Sequence, residues 1–519
     1  MRGVETVLFL VVVATVVATF AKRLSVPAPS LLVVAGVLVG LLPGVPTIEV
    51  TPEIISLVVL PPLLFAAGEE LPMRDLRAAW KPVAGLSLGL VLVSAAAVGG
   101  VALALTSMPV GMAFVLGAIL ASTDPVAVTA LARRLPLPAR VQTVVQAESL
   151  FNDATSLLLF RVALSLVVAA GSASWGSTVG EFVVLAGGGV LVGLATALGA
   201  YFIRRRTEDP MLETVISLVT PYAGYVLAEA IHASGVTAVV VASVGLGAQA
   251  GKLSTSRIRL QVGAVYRTVV FLLESVVFGL IGLELPGLVR RLSGELGWPL
   301  QALALGATLI VVRLLWVFPL SAALHRGEGD ERPSWRLPVV VSWAGARGVV
   351  PLAAALSLPL TVADGSALPA RDLVLLLTTA VIVLTLVVQG FTLGPLVTWS
   401  GIAVHPDEIR EEKSSARGEL AKAALARLEH IAETESAPLF LIEQLRSSWQ
   451  ARLDRFVAST GDDPDGMADS VSYRRLRRDL LAVESAELAR LFARGAITDS
   501  VRRQIQRELD LETTGLGDD

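Results

Sequence analysis

Val110 to Ala132 reads VGMAFVLGAILASTDPVAVTALA, an apolar run long enough to cross a hydrocarbon core of about 30 Å, with Ser122-Thr123-Asp124-Pro125 set in its middle. Backbone amides in lipid have to be satisfied within their own segment, so a run of this kind is a helix and not a barrel strand. Pro125 has no amide hydrogen and its ring crowds the preceding turn, which opens or kinks the helix there. An opened helix inside protein offers carbonyls to a cation, and the amides of its second half can take the Asp124 carboxylate. The plainer alternative is a proline kink capped by Asp124 with no ion. The cost of placing an aspartate in lipid favours the functional reading.

The rest of the chain has the same character. Of its 519 residues 54% are hydrophobic and only 17% charged, with a mean hydropathy of +0.70, which is too apolar for an ordinary soluble protein. Unbroken runs such as Val4 to Phe20, Val83 to Leu105 and Leu373 to Val388 each suffice for a crossing. The pattern predicts an all-α polytopic membrane protein of about thirteen spans, near 4–21, 29–43, 53–68, 82–106, 109–134, 139–171, 178–203, 211–231, 234–251, 263–288, 298–324, 336–360 and 371–399. The first of these, with only Arg2 before it and Lys22 and Arg23 after it, reads as a retained helix that starts outside.

Alternate connections then carry Lys22 and Arg23; Arg74, Arg77 and Lys81; Arg133, Arg134 and Arg140; Arg204 to Arg206; Lys252, Arg257 and Arg259; and Arg326, Arg332 and Arg336. The opposite connections hold little beyond Arg290, Arg291 and Arg371. That asymmetry places the basic side in the cytoplasm. There is no cysteine, which excludes disulfides, thiolate metal sites and cysteine nucleophiles.

Residues 1–400 form the membrane domain. From about Gly401 charge becomes dense, and 401–519 reads as a cytoplasmic, helical and regulatory tail. Leu420, Ala424, Leu425, Leu428 and Ile431 have helical spacing, as do Leu476, Leu480, Leu481, Leu488 and Leu491. Gly461-Asp462-Asp463-Pro464-Asp465-Gly466 between them has the wrong spacing for a calcium loop and reads as a solvated linker.

Charges inside spans mark ion paths or buried pairs. In Glu148-Ser149-Leu150-Phe151-Asn152-Asp153-Ala154-Thr155-Ser156, helical spacing puts Ser149, Asp153 and Ser156 on one face, with Glu148 and Asn152 on a neighbouring stripe. A carboxylate among hydroxyl and carbonyl oxygens suits an exchangeable sodium ion. The same group can take a proton, so proton and cation compete for it. A helix end at the membrane surface is the bland alternative. Arg313, in Leu309-Ile310-Val311-Val312-Arg313-Leu314-Leu315, either snorkels to the interface or pairs with Glu148.

Gly345-Ala346-Arg347-Gly348-Val349-Val350-Pro351 interrupts a second span, seven spans after the first break, this time with a cation. Matched interruptions in two halves point to an inverted repeat with a midplane site, although Gly345 and Gly348 also suit close helix packing. Glu274 and Glu284 are weaker signals that either interface can accommodate. His232, His325, His405 and His430 fall in predicted loops or in the tail.

At these residues the chain resembles the monovalent cation:proton antiporters, in their sodium/proton exchanger branch. The stretches that carry the resemblance are Leu60-Pro61-Pro62-Leu63-Leu64-Phe65, Ser122 to Val128, Glu148 to Ala154, Phe278 to Leu283 and Gly345-Ala346-Arg347-Gly348, in the family's order. The resemblance implies a homodimer in the cell membrane, inverted repeats with two crossing discontinuous helices, and an elevator-like alternation. It implies that Asp153 is the ion- and proton-binding carboxylate, with Asn152, Thr123, Asp124 and Ser149 around the cation. The sodium ion, or another monovalent cation, would sit at Asp153, Ser149 and Thr123. Glu148 with Arg313 matches the family's structural ion pair and Arg347 the arginine of the second crossing helix. The Asn152-Asp153 pair resembles the electroneutral type, one cation per proton. Ala66 departs from the pattern, standing where many relatives have an acidic residue.

The expected function is therefore exchange of sodium for protons, with a potassium/proton exchanger of the same fold or a cation channel as alternatives. A channel needs pore rings or a filter segment, and an intramembrane hydrolase a histidine or lysine base in the spans; neither pattern is visible. A sensor with the membrane part as mere anchor needs no charges in several spans. No enzymatic activity, cofactor or nucleic acid is expected; the partners are the cation, the proton, the bilayer and a second copy of the chain.

Overall fold

Apolar runs of this length satisfy their amides only by coiling, and the departures from regular helix fall where proline, glycine or a polar side chain intervenes. The computed structural model describes residues 27–42, 55–132, 137–168, 175–250, 255–292, 297–325, 335–362, 366–403, 406–434, 438–458, 464–494 and 499–515, with isolated positions 12, 15–17, 19 and 496. The span expected over 4–21 lies almost wholly outside these residues. So do Lys22, Arg23, Arg133, Arg134, Lys252, Arg326, Arg332, His405, Asp462 and Asp463.

The chain divides into two units, Met1–Ala403 and Val404–Asp519. In the first, α1 is Ala28–Gly40, and a π-helical segment Ile55–Val59 leads into α2, Leu60–Glu69. After the short helix Met73–Ala78 comes α3, Trp80–Leu105, then α4, Val110–Ala121, and α5, Val126–Ala132. The long helices α6 (Ala139–Val168), α7 (Trp175–Arg204) and α8 (Pro210–Ala230) precede the shorter α9, Gly235–Gly247. The unit continues through α10 (Ser256–Arg291), α11 (Trp298–His325), α12 (Arg336–Trp343), α13 (Val349–Leu356) and α14 (Arg371–Ser400). Among the described residues, seven of its helices are long and apolar enough to cross a membrane, and four more are shorter but apolar. The chain is a multi-pass membrane protein.

Local chemistry accounts for the boundaries. Asp209 accepts the Met211 amide at 2.8 Å with Pro210 at the first helical position, and Ser234 accepts the Thr237 amide at 3.2 Å to start α9. Gly401, at φ +63°, closes α14 in the left-handed region. Within α3 the π-helical turn Gly85–Leu90 frees a carbonyl, which the Trp316 indole satisfies at 3.0 Å. Helices α1 and α10 cross closely at Gly36 and Gly282, where an added Cβ on either would run into the other's backbone. Exposure sorts the helices: α14 is enclosed along most of its length, whereas α7 turns Val183, Leu191, Leu198 and Phe202 outward, as a lipid-facing helix does.

The span expected over 336–360 is two short helices with five residues of non-helical chain between them, because Gly345 and Gly348 admit side chains where a helix would run. The crossing expected over 263–288 belongs to a longer helix, α10, that begins at a Thr255 cap. His325, expected in a loop, is the last residue of α11. Arg204, expected in a connection facing the cytoplasm, is the last residue of α7 and is buried, with Nε on Glu213 Oε2 at 2.8 Å and Nη1 on Glu69 Oε1 at 3.2 Å.

The second unit is helical: α15 (Pro406–Thr434), α16 (Leu439–Ala458), α17 (Pro464–Ala493) and α18 (Asp499–Gly515). Leu481 and Leu488 of α17 pack with Ile505 and Leu509 of α18, while Leu476 and Leu480 are exposed. The linker reading fails for Pro464-Asp465-Gly466, which start α17; proline is at home in a first helical turn.

Candidate functional site

Two interrupted helices meet inside the first unit. Chain 122–125 separates α4 from α5 and chain 344–348 separates α12 from α13, and the Asp124 amide donates to the Ala346 carbonyl at 2.7 Å across the gap. Asp124 turns its carboxylate onto the start of α5, accepting the Val126 amide at 2.8 Å, and the Val349 amide at the start of α13 also hydrogen-bonds it. One carboxylate thus serves the positive ends of two half-helices. Gly348 makes this feasible, since a Cβ there would lie on the Asp124 carboxylate.

Gly348→Ala is accordingly expected to destabilise the protein by about 1–3 kcal/mol, the usual range for overpacking. Thermal unfolding in detergent checks it, and an unchanged melting temperature would mean that Asp124 has room to move.

Helix α6 passes this crossing with Glu148, Ser149, Asn152 and Asp153 mid-helix and buried, which removes the reading of this stretch as a helix end. Asn152 faces the break: its Nδ2 donates to Thr123 Oγ1 at 2.5 Å and its Oδ1 accepts the Thr123 amide at 3.4 Å. Thr123 Oγ1 lies 3.3 Å from Ser149 Oγ and donates to Glu148 Oε1 at 3.4 Å. Thr123 is thus the hub joining the broken helix to three residues of α6. Asp153 Oδ1 accepts a hydrogen bond from Ser122 Oγ.

Glu148 and Arg313 form a two-pronged pair. Arg313 Nη2 donates to Glu148 Oε2 at 2.7 Å, Nη1 donates to Oε1, and Nε donates to the Val341 carbonyl at 3.1 Å. Both residues are buried, so the snorkelling alternative for Arg313 falls away. Gly345 leaves the space in which the guanidinium lies. Arg347, buried at the second break, donates through Nη1 to the Gly345 carbonyl at 2.7 Å, and its backbone amide donates to Thr385 Oγ1 at 3.2 Å.

A cavity of about 510 Å³ reaches this cluster and is lined by Ser122, Thr123, Asp124, Ser149 and Asp153. Glu274 of α10 also lines it, and the exposed Glu70 and Arg267 on its wall show that it meets the surface. Glu148 is not on that wall. Within the cluster three carboxylates, Asp124, Glu148 and Asp153, face two guanidinium groups, Arg313 and Arg347. Such an arrangement has one negative charge in excess when all are ionised and becomes neutral on taking up one monovalent cation or one proton.

Ser122 and Gly348 stand within the sequence motifs, yet the motifs alone give Ser122 no role and Gly348 only one in helix packing. The signal was present at the first non-helical residue before Asp124 and at a glycine beside a buried charge. Sequence reasoning also missed the Arg161 to Glu229 pair at 2.5 Å and the Arg204, Glu213 and Glu69 group, because each carboxylate lies near a predicted helix end.

Residues 10–399 match the sodium/hydrogen exchanger transmembrane family. The chain is 32% identical over 532 aligned residues to an uncharacterized Na+/H+ exchanger of Mycobacterium bovis, covering 99% of this chain and 96% of that one. It is 34% identical over 414 residues to the Na+/H+ antiporter NhaH of Halobacillus dabanensis, covering 76% of this chain and 97% of that one. The solved structure of the sodium proton antiporter MjNhaP1 from Methanocaldococcus jannaschii is similar with a TM-score of 0.62 at 22% identity, over 77% of this chain and 98% of that one. At that identity the likeness is one of fold.

Proposed function

The chain belongs to the sodium/hydrogen exchanger family, and from that premise we propose that it exchanges a monovalent cation, sodium first, for a proton across the cell membrane. The observation that carries this reading is Asp153, a buried carboxylate on a cavity wall that accepts the Ser122 hydroxyl, with Ser149 lining the same cavity. Glu148 is engaged by Arg313 and Asp124 by two backbone amides, which leaves Asp153 as the carboxylate open to alternating occupants. Thr123 and Ser149 complete a set of oxygen donors for the cation, while Asn152 holds Thr123 in place. Arg347 balances charge at the crossing.

The transport unit of this reading has thirteen spans in inverted repeats, the N-terminus outside, and a homodimer in which the crossing helices and α6 move as an elevator. The tail, from about 401, is cytoplasmic and regulatory. Hard oxygen donors do not by themselves separate sodium from potassium or lithium. Proton movement from proteoliposomes on adding each alkali cation in turn tests the reading. Sodium-driven exchange is expected, and no response to any cation would overturn it.

Exchange is further expected to be electroneutral, since one carboxylate alternates between one proton and one cation and the excess charge of the cluster is single. The membrane potential then does no net work on the cycle. Sodium gradients in vesicles clamped with potassium and an ionophore check this. A rate or end point that follows the imposed voltage would make Asp124 a second titrating group.

A further inference from the structure

Ser122 is fully buried and is the first residue past α4, with ψ 142° turning the chain out of the helix. Elsewhere in the chain helical serines return their hydroxyls to a local carbonyl three residues back, as Ser243 does to Val240 and Ser400 to Val397. Near the same helix end, Ser156 of α6 donates to the Ala118 carbonyl at 2.8 Å. The Ser122 hydroxyl instead points across to α6 and donates to Asp153 Oδ1. Ser156 and Ser122 thus make two contacts in opposite directions between α6 and the end of α4.

Resting on the exchange reading, we propose that Ser122 is a positioning residue for Asp153, holding its carboxylate ready for the cation and setting the balance between proton and cation there. The donor favours the ionised form over the protonated one, because a charged acceptor gains more from a hydrogen bond than a neutral one. Ser156 acts one step back, by tying α6 to the same end of α4 through the Ala118 carbonyl.

Glu148, Asp124 and Arg347, the charged groups beside Asp153, are held by partners other than Ser122. On its own helix Glu148 is paired with Arg313 of α11, and Asp124 lies in the chain between α4 and α5. Arg347 lies between α12 and α13. Around the cavity stand Tyr266, Arg267 and Glu274 of α10, and Glu70 just past α2. A change in pH dependence on removing one hydroxyl is therefore assignable to that hydroxyl.

The experiment uses the full-length chain in proteoliposomes, with Ser122→Ala, Ser122→Thr and Ser156→Ala beside the parent, and records sodium-driven proton movement against pH. For Ser122→Ala the half-maximal point should move about one pH unit toward alkaline, the size expected for one hydrogen bond to an ionised group. The sodium KM at neutral pH should rise about tenfold by the same argument and approach that of the parent at alkaline pH. Ser122→Thr, which keeps the hydroxyl, should restore the profile.

Ser156→Ala removes the neighbouring contact that ties α6 to the end of α4 and should shift the profile in the same direction by a smaller amount, which keeps the proposal testable if Ser122→Ala fails to fold. A Ser122→Ala profile superimposable on the parent's, or lowered equally at every pH, would overturn the proposal while exchange by the parent still stood. Absence of exchange in the parent would overturn the exchange reading, and this proposal with it.

Discussion

Asp153→Asn is expected to abolish cation-driven proton exchange while leaving the protein folded. Asparagine keeps the shape of the side chain, and its amide oxygen still accepts from Ser122, so the contact between α6 and the end of α4 survives. What disappears is the negative charge that attracts the cation and the site at which the proton alternates with it. The other two carboxylates of the cluster are occupied, Glu148 by Arg313 and Asp124 by the amides of Val126 and Val349. Neither is placed to take over. Proton flux from proteoliposomes, set beside a melting curve in detergent, separates loss of function from loss of fold. Sodium-driven proton movement persisting in this variant would remove Asp153 from the centre of the mechanism.

The second large effect is expected at Glu148 and Arg313. Their side chains are 1% and 3% exposed, so either one left alone is a buried charge without its counter-ion. Removing one partner of such a pair typically costs about 3–5 kcal/mol, much of it the penalty of stranding the other. Glu148→Ala leaves the guanidinium with the Val341 carbonyl. Arg313→Ala leaves Glu148 with the weaker Thr123 hydroxyl. The double change to alanine strands neither charge and should cost clearly less than the two single changes together. A double-mutant cycle on unfolding in detergent measures the difference. Simple additivity would show that the two residues do not stabilise one another. Sodium affinity read on whatever fraction of each variant folds would show whether Glu148 also contributes to the ion.

The sequence by itself determined the features that burial cost and local geometry dictate. Runs of apolar residues can be accommodated only in lipid and only as helices, so the multi-pass helical architecture is legible in the composition. Pro125 between Asp124 and Val126, and the glycines around Arg347, mark the two places where a helix cannot continue, and the chain is non-helical at both. The periodicity of α6 shows that Ser149, Asp153 and Ser156 share a face, since 3.6 residues per turn is a property of any helix.

Periodicity does not show what lies opposite that face. Asn152 turns to Thr123, 29 residues away, Ser156 to the Ala118 carbonyl 38 residues away, and Glu148 to Arg313 165 residues away. The meeting of the two breaks through Asp124 and Ala346, and the sharing of one carboxylate between two half-helix ends, were likewise decided only in the tertiary structure. The direction of the Ser122 hydroxyl belongs with them. Its acceptor, Asp153, lies 31 residues away in the sequence, on a helix packed against the end of α4. A hydroxyl has the choice between a local carbonyl and a distant carboxylate only once the helices have packed.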